Sequence, residues 1–577
     1  MAPQGRPGHR QLSRRPPRPR PRKARASGEL NGQPPAAELA PAQVHAAPDD
    51  HEAGDIHGAF GSIRKDDRTV RRTWRHRLLT LAAIMGPGLI VMVGDNDAGG
   101  VATYAQAGQN YGYSLLWLLL VLIPVLIVNQ EMVVRLGAVT GVGHAKLISE
   151  RFGRFWAFFS VGDLFVLNFL TIATEFIGIS LAASYFGVSP YLAVPLAAAT
   201  LIAITLTGNF RRWERAMFVF LIANLLIIPL ALLSHPDGAA VARSLVIPSI
   251  KGGFSSDAIL LIIAVVGTTV APWQLFFQQS NVVDKRITPR WMPYERADTV
   301  IGAFVVVIGA AAIMMASAAV FSGTPAAGKF SDALGTAIGL KHQGGHLLGS
   351  IFAILLIDAS IIGAGAVTLA TSYAFGDVFG IKHSLHRGFG DAKVFYGSYT
   401  AMVGLAAGLV LIPGAPLGLI TTAVQALAGI LLPSATVFLL LLCNDREVLG
   451  PWVNSTWLNV VATVIVSVLV ELSLILVVNT ALPTLDLGRL VVVLTTILIA
   501  SLLGAGLWIL AGSRRRRRVE APEEQPEKNT WRMPPLALLA RPEWSAGRKV
   551  AMLSLQIYLV LVVAVLVLKA VQLASGH

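Results

Sequence analysis

The sequence predicts an all-α polytopic membrane protein, built from two inverted five-helix repeats with additional C-terminal transmembrane helices. Three observations carry this. Of 577 residues, 54% are hydrophobic and 14% charged, whereas soluble domains carry about 25% charge. Apolar runs of about 20 residues, enough to cross roughly 30 Å of hydrocarbon, recur from Leu78 to the end of the chain. The first and sixth of these runs are interrupted at corresponding places, as inverted repeats with a central site would require.

Residues 1–77 carry 16 Lys/Arg against 8 Asp/Glu, with RRPPRPRPRK and a long Ala/Pro/Gly/His stretch. Such composition cannot offset the entropy of ordering, so this stretch reads as a disordered basic cytoplasmic tail. It lacks the early apolar run and small-residue cleavage site of a secretory signal. Spans follow at 78–108, 113–137, 154–187, 190–208 and 213–233, the first repeat (78–233). Spans at 256–282, 297–322, 345–375, 395–415 and 418–443 form the second, inverted repeat (256–443). Two additional helices at 454–478 and 488–511 (454–511), a basic cytoplasmic loop (512–548) and a last transmembrane helix (549–571) bring the count to about 13.

Loops after even-numbered spans hold most of the Lys and Arg, including Arg211, Arg212 and Arg215, Lys285 to Arg296, and the Arg514–Arg518 run. Loops after odd-numbered spans hold only Arg243, Lys251, Lys329, Lys341 and Arg489. The positive-inside rule therefore puts the N-terminus in the cytoplasm, with a bacterial inner membrane the natural setting. The two basic segments supply 13 of the net +14 charges, leaving a nearly neutral membrane domain. That distribution argues against nucleic-acid binding and for anionic lipids at the basic cytoplasmic segments. With Cys443 alone, no intramolecular disulfide and no thiolate metal site can form. GAGA at 363–366 is helix packing rather than a nucleotide loop, and without a Walker-type loop an ATP-driven pump is not expected.

Seven acids lie within the spans: Asp95, Asp97, Glu131, Asp163, Glu175, Asp358 and Glu471. Ionisable groups at membrane depth are costly, so each is a functional candidate, and their shared sign points to a cation. Asp163 and Glu471 are the two most readily explained as helix-to-helix hydrogen-bonding groups. The first span reads GPGLIVMVGDNDAGG, two acids and an Asn followed by Gly99 and Gly100, which favours loss of helix. The sixth reads VVGTTVAPWQLFF, where Pro272 removes an amide donor in mid-span. Broken helices at this depth free carbonyls that bind cations.

GPGLI, the acid–Gly break, YAQAGQNYGY, NQEMVVRLGAVTG, TEFIGISLA and LLPSATVFLLLLCNDREVLG resemble, in order over roughly 78–455, the Nramp (natural resistance-associated macrophage protein) divalent-metal transporters. The resemblance implies a LeuT-type fold and carriage of manganese or iron, usually with protons. The family's Asp-Pro-Gly-Asn stands here as Asp97, Ala98, Gly99, Gly100, keeping the metal-binding Asp and losing the amide. Its Met-Pro-His stands as Ala271, Pro272, Trp273, losing thioether and imidazole. Counting from these motifs places the family's backbone ligand on Thr268 and its glutamine on Gln425. Glu131 and Glu175 match its second- and third-span acids, and with Trp273 and Gln274 are pathway or coupling candidates.

A thioether favours soft transition ions, whereas Mg2+ takes oxygen ligands and keeps several waters. Losing Met at Ala271 and Asn at Gly100 enlarges the site, and Asp95 adds a carboxylate. The pattern resembles the family's Nramp-related magnesium branch: a secondary transporter of Mg2+, with Mn2+ also possible, not an enzyme. Without a mid-span histidine, proton coupling is not expected. The cation is cargo and no resident cofactor is expected; the transport unit reads as a monomer. Competing readings are a proton-coupled Mn2+/Fe2+ carrier, a Na+- or H+-coupled symporter of an organic solute, and a sensor for which residues 1–70 would be essential.

Overall fold

We describe the protein from a computed structural model covering residues 54–414, 417–482, 484–516, 528, 531–539, 549–550, 552–562 and 564. Most of the N-terminal tail, much of the 512–548 loop and the end of the last span lie outside the described residues.

Two short strands open the described chain. β1 (Ile56–Gly58) and β2 (Gly61–Ile63) pair antiparallel with Ile56 opposite Ile63. Ile56, Ala59 and Ile63 are buried against the helical bundle. The stretch from 54 onward, expected to be disordered tail, is thus partly a docked hairpin. Three apolar side chains on one side supply the burial that the surrounding polar composition lacks.

Three helices and two interruptions follow within the first span. α1 (Trp74–Ile84) starts at the N-cap Thr73, and α2 (Pro87–Val93) starts at Pro87, whose missing amide is harmless in a first turn. Between them the chain turns at Gly86, at φ 152°, and the axes bend by 58°. α3 (Ala98–Tyr111) continues after a second gap. Then come α4 (Leu116–Thr140), amphipathic α5 (His144–Phe152), α6 (Arg154–Tyr185), α7 (Pro190–Leu206), and α8 (Phe210–Ala223) with α9 (Ile227–Leu233). α10 (Gly238–Val246), capped by Asp237, links the repeats.

The second repeat has the same pattern: α11 (Ser256–Thr269) and α12 (Pro272–Asp284) are a broken pair, followed by α13 (Met292–Phe321). α14 (Ala333–Gly344), α15 (His346–Phe379), α16 (Lys393–Val410) and α17 (Leu417–Cys443) complete it. Beyond it lie α18 (Arg446–Leu449), α19 (Thr456–Ala481), α20 (Leu487–Arg516) and α21 (Met552–Val562).

The broken pairs sit at the centre. In the α11–α12 span 94% of the most apolar window is buried inside the bundle, against none of it in α20. Small residues permit the close approach: a Cβ on Gly267 of α11 would collide with the backbone of Gln425 and Gly429 in α17.

Helices lie on all the predicted runs, but by length and apolarity nine among the described residues qualify as membrane spans, or ten with the bent α1–α2 pair. The predicted count of 13 is not established by this criterion. α3 and α4 form one continuous helical stretch, and α7 and α21 are only 10–17 residues long.

At the end of the bundle bearing the hairpin, a buried ionic cluster holds the α1–α2 joint. Lys285 and Glu214 form an ion pair of 2.5 Å with neither side chain exposed. Lys285 Nζ donates to the Met85 carbonyl at 2.8 Å, and the Ala59 amide donates to Glu214 at 2.5 Å. Asp298 of α13 accepts from the Gly86 and Gly88 amides at 3.0 and 2.8 Å, capping α2 from another helix. Glu214→Ala leaves the Lys285 ammonium buried and unpaired, so we expect a loss of about 3–5 kcal/mol in folding stability. Glu214→Ala/Lys285→Met should recover most of it. Thermal melting of the purified variants measures both, and equal melting of the single and double variants would contradict the pairing.

Candidate functional site

In the first span the chain leaves α2 at Gly94 and re-enters helix at Ala98. Asp97 is the extended N-cap of α3, and its Oδ1 accepts from the Gly100 amide at 2.7 Å. The carboxylate is held by the helix start it caps, with the positive end of the helix dipole beside it. The Ala98 amide donates to Glu175 of α6 at 2.9 Å. Glu175 and Asp97 lie side by side over Gly363 of α15, where a Cβ would come within 2.9 and 2.8 Å of them. Asp95 is fully buried, and the Gln274 side-chain amide lies against it.

The second break faces the first. The α11 helix ends at Thr269, and Ala271 is the extended N-cap of α12, with no side-chain cap. In an uninterrupted helix the Thr268 carbonyl would bond to the amide of residue 272; Pro272 has none. Thr268 sits against Gly100, where a Cβ would lie 3.2 Å from its hydroxyl, itself unpartnered. The Gln425 side chain from α17 rests on Gly99, on the spot a Cβ would take, and its Nε2 is unpartnered. The space expected from Gly100 is filled by Thr268, Tyr104 and the Asp95 carbonyl. Beyond Ala98 and Gly178 towards Phe330 and Asp332 remains a cavity of about 10 Å3, room for one water.

Of the candidates from sequence, Asp95, Asp97, Gly100, Thr268, Gln425 and Glu175 come together here, with Ala271 buried at the second break. Gln274 bridges outward, donating to the Thr269 carbonyl at 3.4 Å and accepting from Gln130 at 3.0 Å. Trp273 packs its ring on Gly94 and on Phe277, 5.9 Å between centroids. Glu131 is elsewhere: it pairs with Arg296 at 2.5 Å and Arg135 at 3.2 Å, tying α4 to α13. Asp163 and Glu471 accept from Ser434 and Thr495, and Asp358 accepts from Asn224.

Sequence reading missed Glu214, Asp284, Lys285, Glu295 and Asp298, all buried. They stand at the edges of apolar runs, where charge passes for interface; the i,i+3 spacing of Glu295 and Asp298 on one helical face was the available signal. Among the described residues, no three of His, Cys, Asp and Glu group as a metal-binding set. Any cation held here relies on neutral oxygens beside its carboxylates.

Two helices broken at facing positions inside an apolar bundle, with a capped carboxylate and an unpartnered amide side chain between them, define a membrane transporter of the broken-helix class. The chain belongs to the Nramp family: the family model, "Natural resistance-associated macrophage protein-like", matches residues 88–479. It is 26% identical over 428 residues to the divalent metal cation transporter MntH of Pectobacterium carotovorum, covering 72% of this chain and 98% of that one. It is 29% identical over 411 residues to MntH 1 of Pseudomonas aeruginosa, covering 67% and 89%. In structure it resembles the manganese transporter of Eremococcus coleocola, with a TM-score of 0.57 at 20% identity over 77% of this chain and 97% of that one. The LeuT-type fold expected from the sequence is therefore the fold observed.

Gly363 has no space for a larger residue. Gly363→Val should displace Asp97 and Glu175 together and reduce cation uptake at least about tenfold, the usual order for a misplaced site. Gly404→Val, in α16 where a Cβ meets nothing, should leave uptake unchanged. Uptake by equal amounts of reconstituted protein tests the pair.

Proposed function

We propose that this protein carries divalent cations across the membrane by alternating access, with Mg2+ as principal cargo, Mn2+ as a second one, and no obligatory proton coupling. The observation that carries the reading is the donor chemistry where the two breaks meet. Asp97, Asp95, the Thr268 carbonyl and the Gln425 amide offer oxygen, and the sulfur and imidazole of the family motif are replaced by Ala271 and Trp273. Oxygen-only sets suit hard cations, and Mg2+ above all.

Asp97 is the direct or water-mediated carboxylate ligand in this reading, and Asp95 sets the field and hydration around it. Asp95 is a buried carboxylate with no cationic partner among the described residues, a state a divalent cation relieves. Glu175, on the Ala98 amide, joins site and pathway. Gly100 and Ala271 contribute close approach rather than a bond. His144, a buried imidazole, bonds Gln279 through Nδ1 at 2.8 Å, outside the breaks, and among the described residues no imidazole stands at the breaks to relay protons. Movement of α1 and α2 about Gly86 opens one side of the bundle. The N-terminus and both basic segments lie in the cytoplasm of a bacterium, the bilayer supplies anionic lipid to them, and one chain is a complete transport unit.

The manganese named for the Eremococcus coleocola relative makes Mn2+ the competing principal cargo, and uptake into proteoliposomes separates the two. We expect Mg2+ to enter and to compete with Mn2+, with vesicle pH unchanged during uptake. Asp97→Ala removes a charged ligand worth about 3 kcal/mol and should lower uptake roughly 100-fold. Ala271→Met should shift preference towards Mn2+. If Mg2+ neither enters nor competes, the magnesium assignment is wrong; if Asp97→Ala transports normally, the site is misplaced.

A further inference from the structure

An open groove of about 770 Å3 runs between the start of α1 and the start of α13, away from the transport site. Its rim carries Arg71, Arg77 and Arg290, its walls Trp74, Trp291 and Tyr294, and among the described residues no acid lines it. The Arg71 and Arg290 guanidinium groups lie over the Trp291 ring, 5.4 and 5.2 Å from its centroid. Arg290 donates to the Thr69 carbonyl at 3.3 Å and Arg77 to the Arg71 carbonyl at 3.1 Å. These bonds fix both side chains and leave their charge unneutralised. Arg71 pairs with Asp67 at 2.6 Å, whereas Arg77 and Arg290 form no ion pair among the described residues.

The groove changes character with depth. Leu78 and Leu81 continue it along α1, and Pro293, Tyr294 and Ala297 along α13. At 1.5 Å per residue, Leu81 is about 6 Å, and Ala297 about 10 Å, further along than the arginines that precede them. The cationic rim with its aromatic collar thus lies outermost and the apolar floor runs along the spans. A free phosphate would need the rim and not the floor; a neutral lipid would need the floor and not the rim.

We propose that this groove is a binding site for one anionic phospholipid, its phosphate held by Arg77 and Arg290 and its proximal acyl chains laid between Leu81 and Ala297. Arginine suits this role because its planar fork meets phosphate oxygens in pairs and stacks on Trp291 at the same time. Because α1 precedes the 58° bend, a lipid bridging α1 and α13 restrains the half-helix that moves in transport. The site narrows the anionic-lipid contact proposed above for the N-terminal basic segment to one groove; its consequence for transport rests on the proposed function, and its binding is read without any cation.

The test uses the full-length protein in neutral detergent, with native mass spectrometry and thermal melting after adding dioleoylphosphatidylglycerol or dioleoylphosphatidylcholine. The wild type should retain one phosphatidylglycerol in preference and melt higher with it. Arg77→Gln/Arg290→Gln should lose that preference by about 30-fold, each arginine contributing a factor of about five. Arg64→Gln/Arg68→Gln, outside the groove, should keep it. Ala297→Trp fills the floor without touching the rim and should also abolish retention, so the proposal remains testable if the arginine variant does not fold. Equal retention of phosphatidylcholine, loss of preference in the outside variant as well, or a matching shift from inorganic phosphate alone would each overturn the site.

Discussion

Inside an apolar bundle every interruption of a helix must be satisfied by the protein itself, because neither water nor lipid offers a partner. This chain interrupts its helices at three places in its first and sixth spans and answers each break differently. At Gly86–Pro87 the free amides are taken by Asp298 and the Met85 carbonyl by Lys285. At Gly94–Asp97 the start of α3 is capped by Asp97 itself, with Glu175 on the next amide. At Val270–Ala271 no side chain caps α12, and Pro272 denies the Thr268 carbonyl its usual donor. The break left without a side-chain cap is the one that faces the carboxylates, and this asymmetry supports the cation site proposed there.

The same constraint relates the site to the hairpin end of the molecule. Glu214 bonds at once to Lys285 and to the Ala59 amide of the hairpin turn, while Lys285 reaches the α1–α2 joint. One buried acid therefore links the N-terminal hairpin, α8, α12 and the bend that precedes the site. Arg215 adds a bond of 3.0 Å to the Ala59 carbonyl, closing the turn on both faces. Buried ion pairs contribute little net stability compared with apolar packing, but they fix one geometry because half of a pair is so costly.

The broken-helix architecture was legible because its signals are long or chemically loud: 20-residue apolar runs, two acids beside two glycines, a proline in mid-span. Asp97 stood out in the acid–Gly break, Thr268 and Gln425 were implied by the resemblance to the family's motifs, and the structure brings all three to the breaks. Glu131 shares the signal of an acid in a span, yet Arg135 and Arg296 engage it, and the first of these lies only four residues along its own helix. Arg296, the other partner, is 165 residues away, a distance no local pattern spans. The hairpin escaped for another reason: three-residue strands have no periodicity to read, and the burial of Ile56, Ala59 and Ile63 depends on a surface made by helices far along the chain. Glu214 and Lys285 were hidden by position, each at the edge of an apolar run where a charge ordinarily meets water.

Removing the family's Asn and Met side chains does not by itself leave a roomy site. Gly99 and Gly100 are filled against by Gln425, Thr268 and Tyr104, and the adjoining cavity holds one water at most. Mg2+ gives up its water reluctantly and favours sites where it keeps several. For the proposed Mg2+ cargo, a hydrated ion requires α3 to separate from α11 and α17, and the short residues at positions 99, 100 and 271 let those backbones part around it. On this argument selectivity belongs to the opened arrangement of the two breaks, where the smallest residues leave the most room for water, rather than to the closed contact geometry.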